Sequence, residues 1–285
     1  MNKPRSVTIL THQYPEQTSE AIRRVIEAAT AAGVEVRLPR EEVEKHQLEQ
    51  SPGCVFEGDF DGETDLALVL GGDGTILTAL RQFAGHTAPV FAINFGAIGF
   101  LATIEPWELE ERVSSALRGE FDVMDLPGLV VATPDGERIA VNDVSFHRRQ
   151  DGRVAELAYS VEGEELGEVR CDGLVVSTPA GSTGYNLANG GPVLAWGVEG
   201  FVVSFIAPHT LTARALVVAP SDVLVVTNRS RIEEVDVSTD ARTVCALAPE
   251  ASMRIEFRQR QALLAQTPGA SFYHRLREKF GRLAY

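Results

Sequence analysis

Apolar positions along this chain follow two different rhythms, and the change from one to the other divides it in two. Residues 66–70, five apolar side chains between Asp65 and a glycine pair, read as a strand buried on both faces. Behind them Ile76, Leu77, Leu80 and Phe83 fall at helical spacing, so Gly71-Gly72-Asp73-Gly74-Thr75 sits on a strand-to-helix turn. Residues 6–10 predict a first strand. Ile22, Val25, Ile26 and Ala29 predict a helix within 16–32 that Gly33 closes, and residues 34–38 resume as a strand. The acidic, irregular stretch 41–62 reads as a surface excursion. Residues 89–94 predict another buried strand, which runs into the glycine-rich Asn94-Phe95-Gly96-Ala97-Ile98-Gly99-Phe100-Leu101, and residues 106–117 predict a helix.

Past that helix the period shortens to two. Short β-rich runs are separated by Pro134-Asp135-Gly136, Gln150-Asp151-Gly152 and Glu162-Gly163, which are hairpin signals, and runs at 201–206, 223–226, 232–237 and 253–257 continue the pattern. Phe272, Leu276 and Phe280 return to helical spacing near the end. The expected fold class is an α/β N-terminal domain over 1–119, a mainly β C-terminal domain over 120–265, and a segment, 266–285, that docks back.

Composition narrows the function. At 285 residues, 44% hydrophobic and 23% charged, the chain has room for two domains. No apolar run reaches the length of a signal-peptide core or a bilayer span, so a cytoplasmic protein with no membrane contact is expected. Cys54, Cys171 and Cys245 form no CxxC pair and are odd in number, which argues against a disulfide framework or a structural zinc site. A net charge of −14 opposes nucleic-acid binding. An anionic ligand must then be held by local NH groups and a few arginines.

The glycine turn at 71–75 suits that task, since glycines allow close approach of an anion and the free NH groups of a helix start point toward it. Asp73 would repel phosphate unless it engages a metal ion or takes a proton from an attacking hydroxyl; the alternative is a helix cap. Neither G-x-x-x-x-G-K-[ST] nor GxGxxG is present, because Leu77 stands where the third glycine would be. Asn142-Asp143, an amide beside a carboxylate, can bind ribose hydroxyls and a base edge, or serve as a plain β-turn. Arg148, Arg149 and Arg153 surround the next hairpin. The longest motif runs from Asp172-Gly173 through Ser177-Thr178-Pro179-Ala180-Gly181-Ser182-Thr183-Gly184-Tyr185 to Asn189-Gly190-Gly191-Pro192, a strand entering a turn rich in hydroxyls and glycines that opens a short helix.

Taken in order, Gly71 to Thr75, Asn94 to Leu101, Asn142-Asp143, Asp172 to Tyr185, Pro208-His209 and the aromatic Phe272-Tyr273 resemble the NAD kinase family, the ATP- or polyphosphate-dependent NAD kinases. The resemblance implies a homodimer or homotetramer that transfers a phosphoryl group from ATP to the 2′-hydroxyl of the adenosine ribose of NAD, with a divalent cation, Mg²⁺, on the donor phosphates. It makes Asp73 the general base and Gly74 its neighbour at the dinucleotide. Phe100 resembles an aromatic wall at the adenine, Asn142 and Asp143 ribose and base contacts, and Arg153 a basic ligand contact. Arg170 and Asp172 resemble residues that complete a site across a subunit interface, and Thr183, Gly184, Tyr185, Asn186, Leu187 and Ala188 fall on the nucleotide loop. His209 matches a family histidine that reads as a core or hydrogen-bonded residue.

This chain departs from the family at Ala180, Gly184, Ala188 and Ala215, and at Asp240-Ala241-Arg242, where the family usually has Asp-Gly-Gln. Arg242 thereby becomes a candidate contact with a preference for anionic phosphate. Two other readings compete: a noncatalytic NAD(P)-binding sensor, which would not need Asp73, and a lipid or sugar kinase sharing only the Gly-Asp turn, which would not need the Asn142 and Asp172 motifs.

Overall fold

The structure is a computed structural model that describes residues 3–57, 63–96, 99–102, 104–149 and 153–281. It divides into two compact units, one formed by residues 1–125 and 262–285 and the other by 126–261. The chain therefore leaves the first unit six residues later than the expected boundary and returns to it four residues earlier.

The first unit is built on β1 (Ser6–Thr11), α1 (Ser19–Ala31), β2 (Glu35–Pro39), α2 (Arg40–His46), β3 (Cys54–Glu57), β4 (Leu66–Gly71), α3 (Asp73–Gln82), β5 (Val90–Asn94) and α4 (Leu109–Leu117). The strands form a parallel sheet in the order β3-β2-β1-β4-β5. Chain order reverses between β1 and β4, and in such sheets the crevice for ligands opens at that switch, at the carboxyl ends of the strands. The run that ends β4 there is the glycine turn. Every residue of β4 is buried, and Leu66, Leu68 and Leu70 share one core with Ile22 and Val25 of α1 and with Val113 and Leu117 of α4. Burying each leucine is worth about 2 kcal/mol, which fixes the strand beneath the turn.

Residues 41–57 are not an irregular excursion. They contain most of α2 and all of β3, while residues 58–62 of the expected excursion lie outside the described residues. Apolar periodicity could not reveal α2, because its two buried residues are polar. Glu42 accepts hydrogen bonds from the Thr11 NH (3.0 Å), the Thr11 hydroxyl (2.6 Å) and Lys45 Nζ (2.8 Å), and His46 lies 2.7 Å from the same hydroxyl.

The second unit is almost entirely β. It holds most of β6 (Asp122–Thr133), then β7 (Gly136–Ala140), β8 (Asp143–Arg148), β9 (Ala155–Val161), β10 (Glu164–Cys171), β11 (Gly173–Ser177), the one-turn α5 (Tyr185–Ala188) and β12 (Phe201–Ile206). Next come β13 (Leu216–Val218), β14 (Leu224–Asn228), β15 (Val235–Thr239), β16 (Arg242–Leu247) and β17 (Ser252–Gln266), which crosses into the first unit at Ala262. One antiparallel sheet runs β13-β12-β11-β8-β15-β16, and β10-β9-β14-β17 form another with β6 and β7. Alternate residues, among them Phe146, Leu157, Leu174, Val176, Phe201, Val203, Val226, Val237 and Ile255, meet in one core, as the period of two requires. Glu162 and Gly163, both at positive φ, turn β9 into β10. The Gln150-Asp151-Gly152 turn lies outside the described residues.

The last helix, α6 (Phe272–Phe280), packs within the first unit: Arg275 is 4% exposed and donates to the Phe100 carbonyl at 3.0 Å.

Candidate active site

Asp73 is the first residue of α3, after an extended Gly72. Its part-buried carboxylate does not fold back on its own helix as a cap. Instead Oδ2 accepts the Phe100 NH at 2.8 Å and Oδ1 the Leu101 NH at 3.2 Å, so the second glycine-rich loop aims the first loop's acid. The glycines make this contact possible. A Cβ on Gly96 would come within 2.6 Å of the Gly72 Cα, and one on Gly99 would collide with the Asp73 carboxylate. The two loops are thus in direct backbone contact; Ala97 and Ile98 between those glycines lie outside the described residues. Gly74 is exposed, and a Cβ there would meet nothing within 4 Å.

Phe100, expected at an adenine, is 8% exposed, with its ring centroid 5.1 Å from that of Phe280 on α6. Beneath it burial pulls the Arg275 guanidinium down to about 10, against the opposing pull of the Asp73 charge. A buried cation therefore faces the acid, and the sequence alone carried no sign of it.

In the second unit the Asn142-Asp143 turn is held from two sides. Asp240, at the tip of the β15–β16 hairpin, accepts the NH groups of Val141 (3.1 Å), Asn142 (2.7 Å) and Asp143 (3.2 Å) on one carboxylate. Thr178, from the long motif, takes the carbonyls: its hydroxyl donates to Val141 O at 2.7 Å and its NH to Asn142 O at 2.9 Å. Gly181 then lies on the Asn142 backbone with no room for a Cβ. Two motifs that stand apart in sequence, 142–143 and 172–185, are one piece of structure. With its backbone committed, Asn142 keeps a side-chain oxygen that is shielded from solvent and has no hydrogen-bond partner among the described residues. Asp143 is 7% exposed, and burial, followed by the charge of Asp240, pushes its carboxyl up to about 7.

Around this turn, Tyr185 stacks on His147 with centroids 5.6 Å apart and planes 18° from parallel. Burial raises the Tyr185 phenol, as do the charges of Asp143 and Asp172, while burial lowers His147. Gly184 and Ala188 are exposed, and Thr183 and Leu187 are part-buried. Asn186 offers a ligand no exposed atom: its amide donates to Ser182 O (2.9 Å) and Pro192 O (3.0 Å) and so shapes the loop from within. A Cβ at Gly184 would lie 3.4 Å from Gly181 O, an ordinary contact, so the loop has space for the alanine usual in the family.

Asp172 is held by Arg148 at 2.6 Å and Arg170 pairs with Glu156 at 3.2 Å, while Arg153 is exposed. The Arg170 carbonyl accepts the His209 NH at 2.7 Å. Arg242 is exposed one residue beyond the positive-φ pair Asp240-Ala241. Sequence reasoning did not assign Asp240, Thr178, His147 or Arg275 to a site. Asp240 had one signal, its place in the Asp-Ala-Arg element, but its partners lie almost a hundred residues away.

Comparison with known proteins gives the family. The ATP-NAD kinase N-terminal domain family matches residues 7–121 and the ATP-NAD kinase C-terminal domain family residues 141–267. An NAD kinase from Gemmatimonas aurantiaca is 35% identical over 228 residues, 78% of each chain. Among solved structures, an NAD kinase from Archaeoglobus fulgidus in complex with ATP aligns with a TM-score of 0.74 at 27% identity, covering 97% of both chains. Yeast NADH kinase complexed with NADH aligns with a TM-score of 0.86 at 22% identity, covering 100% of this chain and 91% of that one, a likeness of fold. By this identity and coverage, and by the motifs now seen in place, the chain belongs to the NAD kinase family.

Proposed function

We propose that this chain transfers the terminal phosphoryl group of ATP to the 2′-hydroxyl of the adenosine ribose of NAD, giving NADP. The observation that carries the reading is Asp73: a part-buried carboxylate in a glycine turn whose next residue, Gly74, is exposed, aimed by two NH groups of the neighbouring loop. In that place it accepts the proton of the hydroxyl as the oxygen attacks phosphorus, a role that demands position more than bulk. Gly74 leaves room beside it for the substrate backbone. In the second unit the unpartnered Asn142 oxygen accepts from a ribose hydroxyl and Asp143 from a base or ribose donor. Tyr185 and its neighbours in 183–188 supply the nucleotide loop.

Arg153 and Arg170 offer charge to the dinucleotide, and Arg170 with Asp172 completes the site in a homodimer or homotetramer. Arg242 adds a fixed positive charge for phosphate. Among the described residues no group of three or more His, Cys, Asp or Glu side chains could hold a metal ion. Mg²⁺ enters as the companion of the donor phosphates, its usual oxygen ligands. No helix among the described residues is long and apolar enough to cross a membrane.

The test is direct: the purified chain, incubated with NAD, ATP and Mg²⁺, forms NADP at a rate proportional to enzyme. Absence of NADP with both ATP and polyphosphate as donors refutes the reading.

A further inference from the structure

Asp240 is one of the few charged residues in the second unit that solvent scarcely touches, being 8% exposed. It sits on a hairpin turn whose two central residues, Asp240 and Ala241, both adopt positive φ (45° and 63°), a conformation that glycine and asparagine take more cheaply than alanine. Strain of that kind is retained where something else depends on the geometry. Here three consecutive NH groups, those of Val141, Asn142 and Asp143, converge on the Asp240 carboxylate, and the Asp240 NH returns a bond to Asp143 O at 2.9 Å. Consecutive NH groups aimed at one point form an anion nest, and in this chain the nest is filled from within.

We propose that Asp240 is a positioning residue of the dinucleotide site: by occupying the NH nest of residues 141–143 it fixes the turn in the one shape that leaves the Asn142 side-chain oxygen without a partner among the described residues. The inference rests on the functional reading above. It assigns Asp240 no contact with NAD. The carboxylate holds the NH side of the turn and Thr178 the carbonyl side, so neither set of backbone groups competes for the Asn142 side chain. Arg242 leaves the same hairpin tip, so the position of its charge is tied to the same anchor.

Asp240 also sets the electrostatics of the turn. The titratable groups that bear on Asp143 among the described residues are Asp240 on the hairpin and Tyr185 on α5, whose phenol responds to the Asp143 charge; Thr178, from the connection after β11, is neutral. Replacing Asp240 by asparagine removes one negative neighbour and leaves the burial of Asp143 in place.

The test compares Asp240→Asn with the parent in NADP formation from NAD and ATP. An asparagine oxygen cannot hold three NH groups as a carboxylate does, and its own amide NH opposes them, so KM for NAD rises roughly tenfold or more while kcat stays within about threefold. The acid limb of the pH profile of kcat/KM moves to lower pH, since Asp143 ionises more readily without its charged neighbour. Ala241→Gly relaxes the hairpin without touching the carboxylate: its Tm rises and KM is unchanged. If folded Asp240→Asn keeps KM within twofold of the parent, or loses kcat and KM together with an unmoved pH profile, Asp240 is a structural residue and the proposal falls while the kinase reading stands. If the parent itself forms no NADP from NAD, both fall.

Discussion

At the start of α3 the acid expected to do chemistry also ties its surroundings together: Asp73 accepts from Phe100 and Leu101 and thereby joins two glycine loops. At the Asn142-Asp143 turn the tying is done by a different acid, Asp240, and the side chains expected to meet substrate are left out of it. One carboxylate with two duties leaves little freedom, since any change at Asp73 alters chemistry and loop geometry together. Two carboxylates with one duty each can be separated by substitution. The second arrangement costs more, because Asp143 and Asp240 place two acids close together in a buried region.

The largest expected effect tests the fused duty. Asp73→Asn keeps an oxygen for one of the two NH groups and removes the proton acceptor. Turnover falls about a hundred- to ten-thousand-fold, the usual range for a lost general base, while NAD affinity measured by calorimetry changes little. Turnover within a few-fold of the parent would leave Asp73 as a loop tie alone.

Gly99→Ala separates what Asp73→Asn cannot. The new Cβ would collide with the Asp73 carboxylate, the free end of a side chain, so the carboxylate swings aside and the backbone stays. An acid misplaced by about 1 Å costs on the order of a hundredfold in kcat, with little change in Tm. Gly96→Ala meets the backbone of Gly72 at 2.6 Å and lowers Tm instead. Equal activity in Gly99→Ala and the parent would show that the aim of Asp73 is not needed.

This contrast also explains what could be read from residues alone. The Asp73 turn was legible because it and the loop that aims it are glycine-rich runs, each at the end of an apolar strand; strand β12 was legible to the residue from its own apolar run. The Asn142-Asp143 pair was visible, but its anchor was not, since Asp240 reaches it only through the β8–β15 pairing, in which Thr239 stands opposite Val144. Helix α2 escaped because Glu42 and His46 form its buried face, and a hydrogen-bonded acid carries no hydrophobic signal. Strand β17 looked five residues long and has fifteen, because Arg258-Gln259-Arg260 interrupts its apolar alternation. Arg275 lay in a helix read only from Phe272, Leu276 and Phe280.

The cost of the separated arrangement is measurable as a pH effect on stability. Asp143, raised to about 7 in the folded chain, has an ordinary value of about 4 when unfolded. Between those values the folded chain binds the extra proton, so stability is fully present below about pH 4 and falls as pH rises through 7, by an amount on the order of 1–2 kcal/mol after relaxation around the charge. Asp143→Asn removes that slope and raises Tm at pH 8 relative to the parent, at the expense of NAD affinity. A parent whose denaturation midpoint in urea does not fall between pH 5 and pH 8, once other groups are matched by the Asp143→Asn control, would place the Asp143 carboxyl in the ordinary range.

The smallest effect concerns the residue that leaves the Asp240 hairpin. Glutamine, usual at this place in the family, both donates and accepts, whereas Arg242 only donates and carries a fixed charge. If that charge reaches the dinucleotide, it favours the phosphorylated product over the substrate, and NADP inhibits the parent more strongly than Arg242→Gln by about two- to fivefold. Exposure screens the interaction, so the difference shrinks between 50 mM and 500 mM salt as the screening length drops below the separation of the charges. Because Asp240 anchors the hairpin in both proteins, KM for NAD stays the same, which distinguishes a lost charge from a loosened turn. Equal inhibition constants with the same salt dependence would mean that the guanidinium stays in solvent, and that the hairpin serves the site through Asp240 alone.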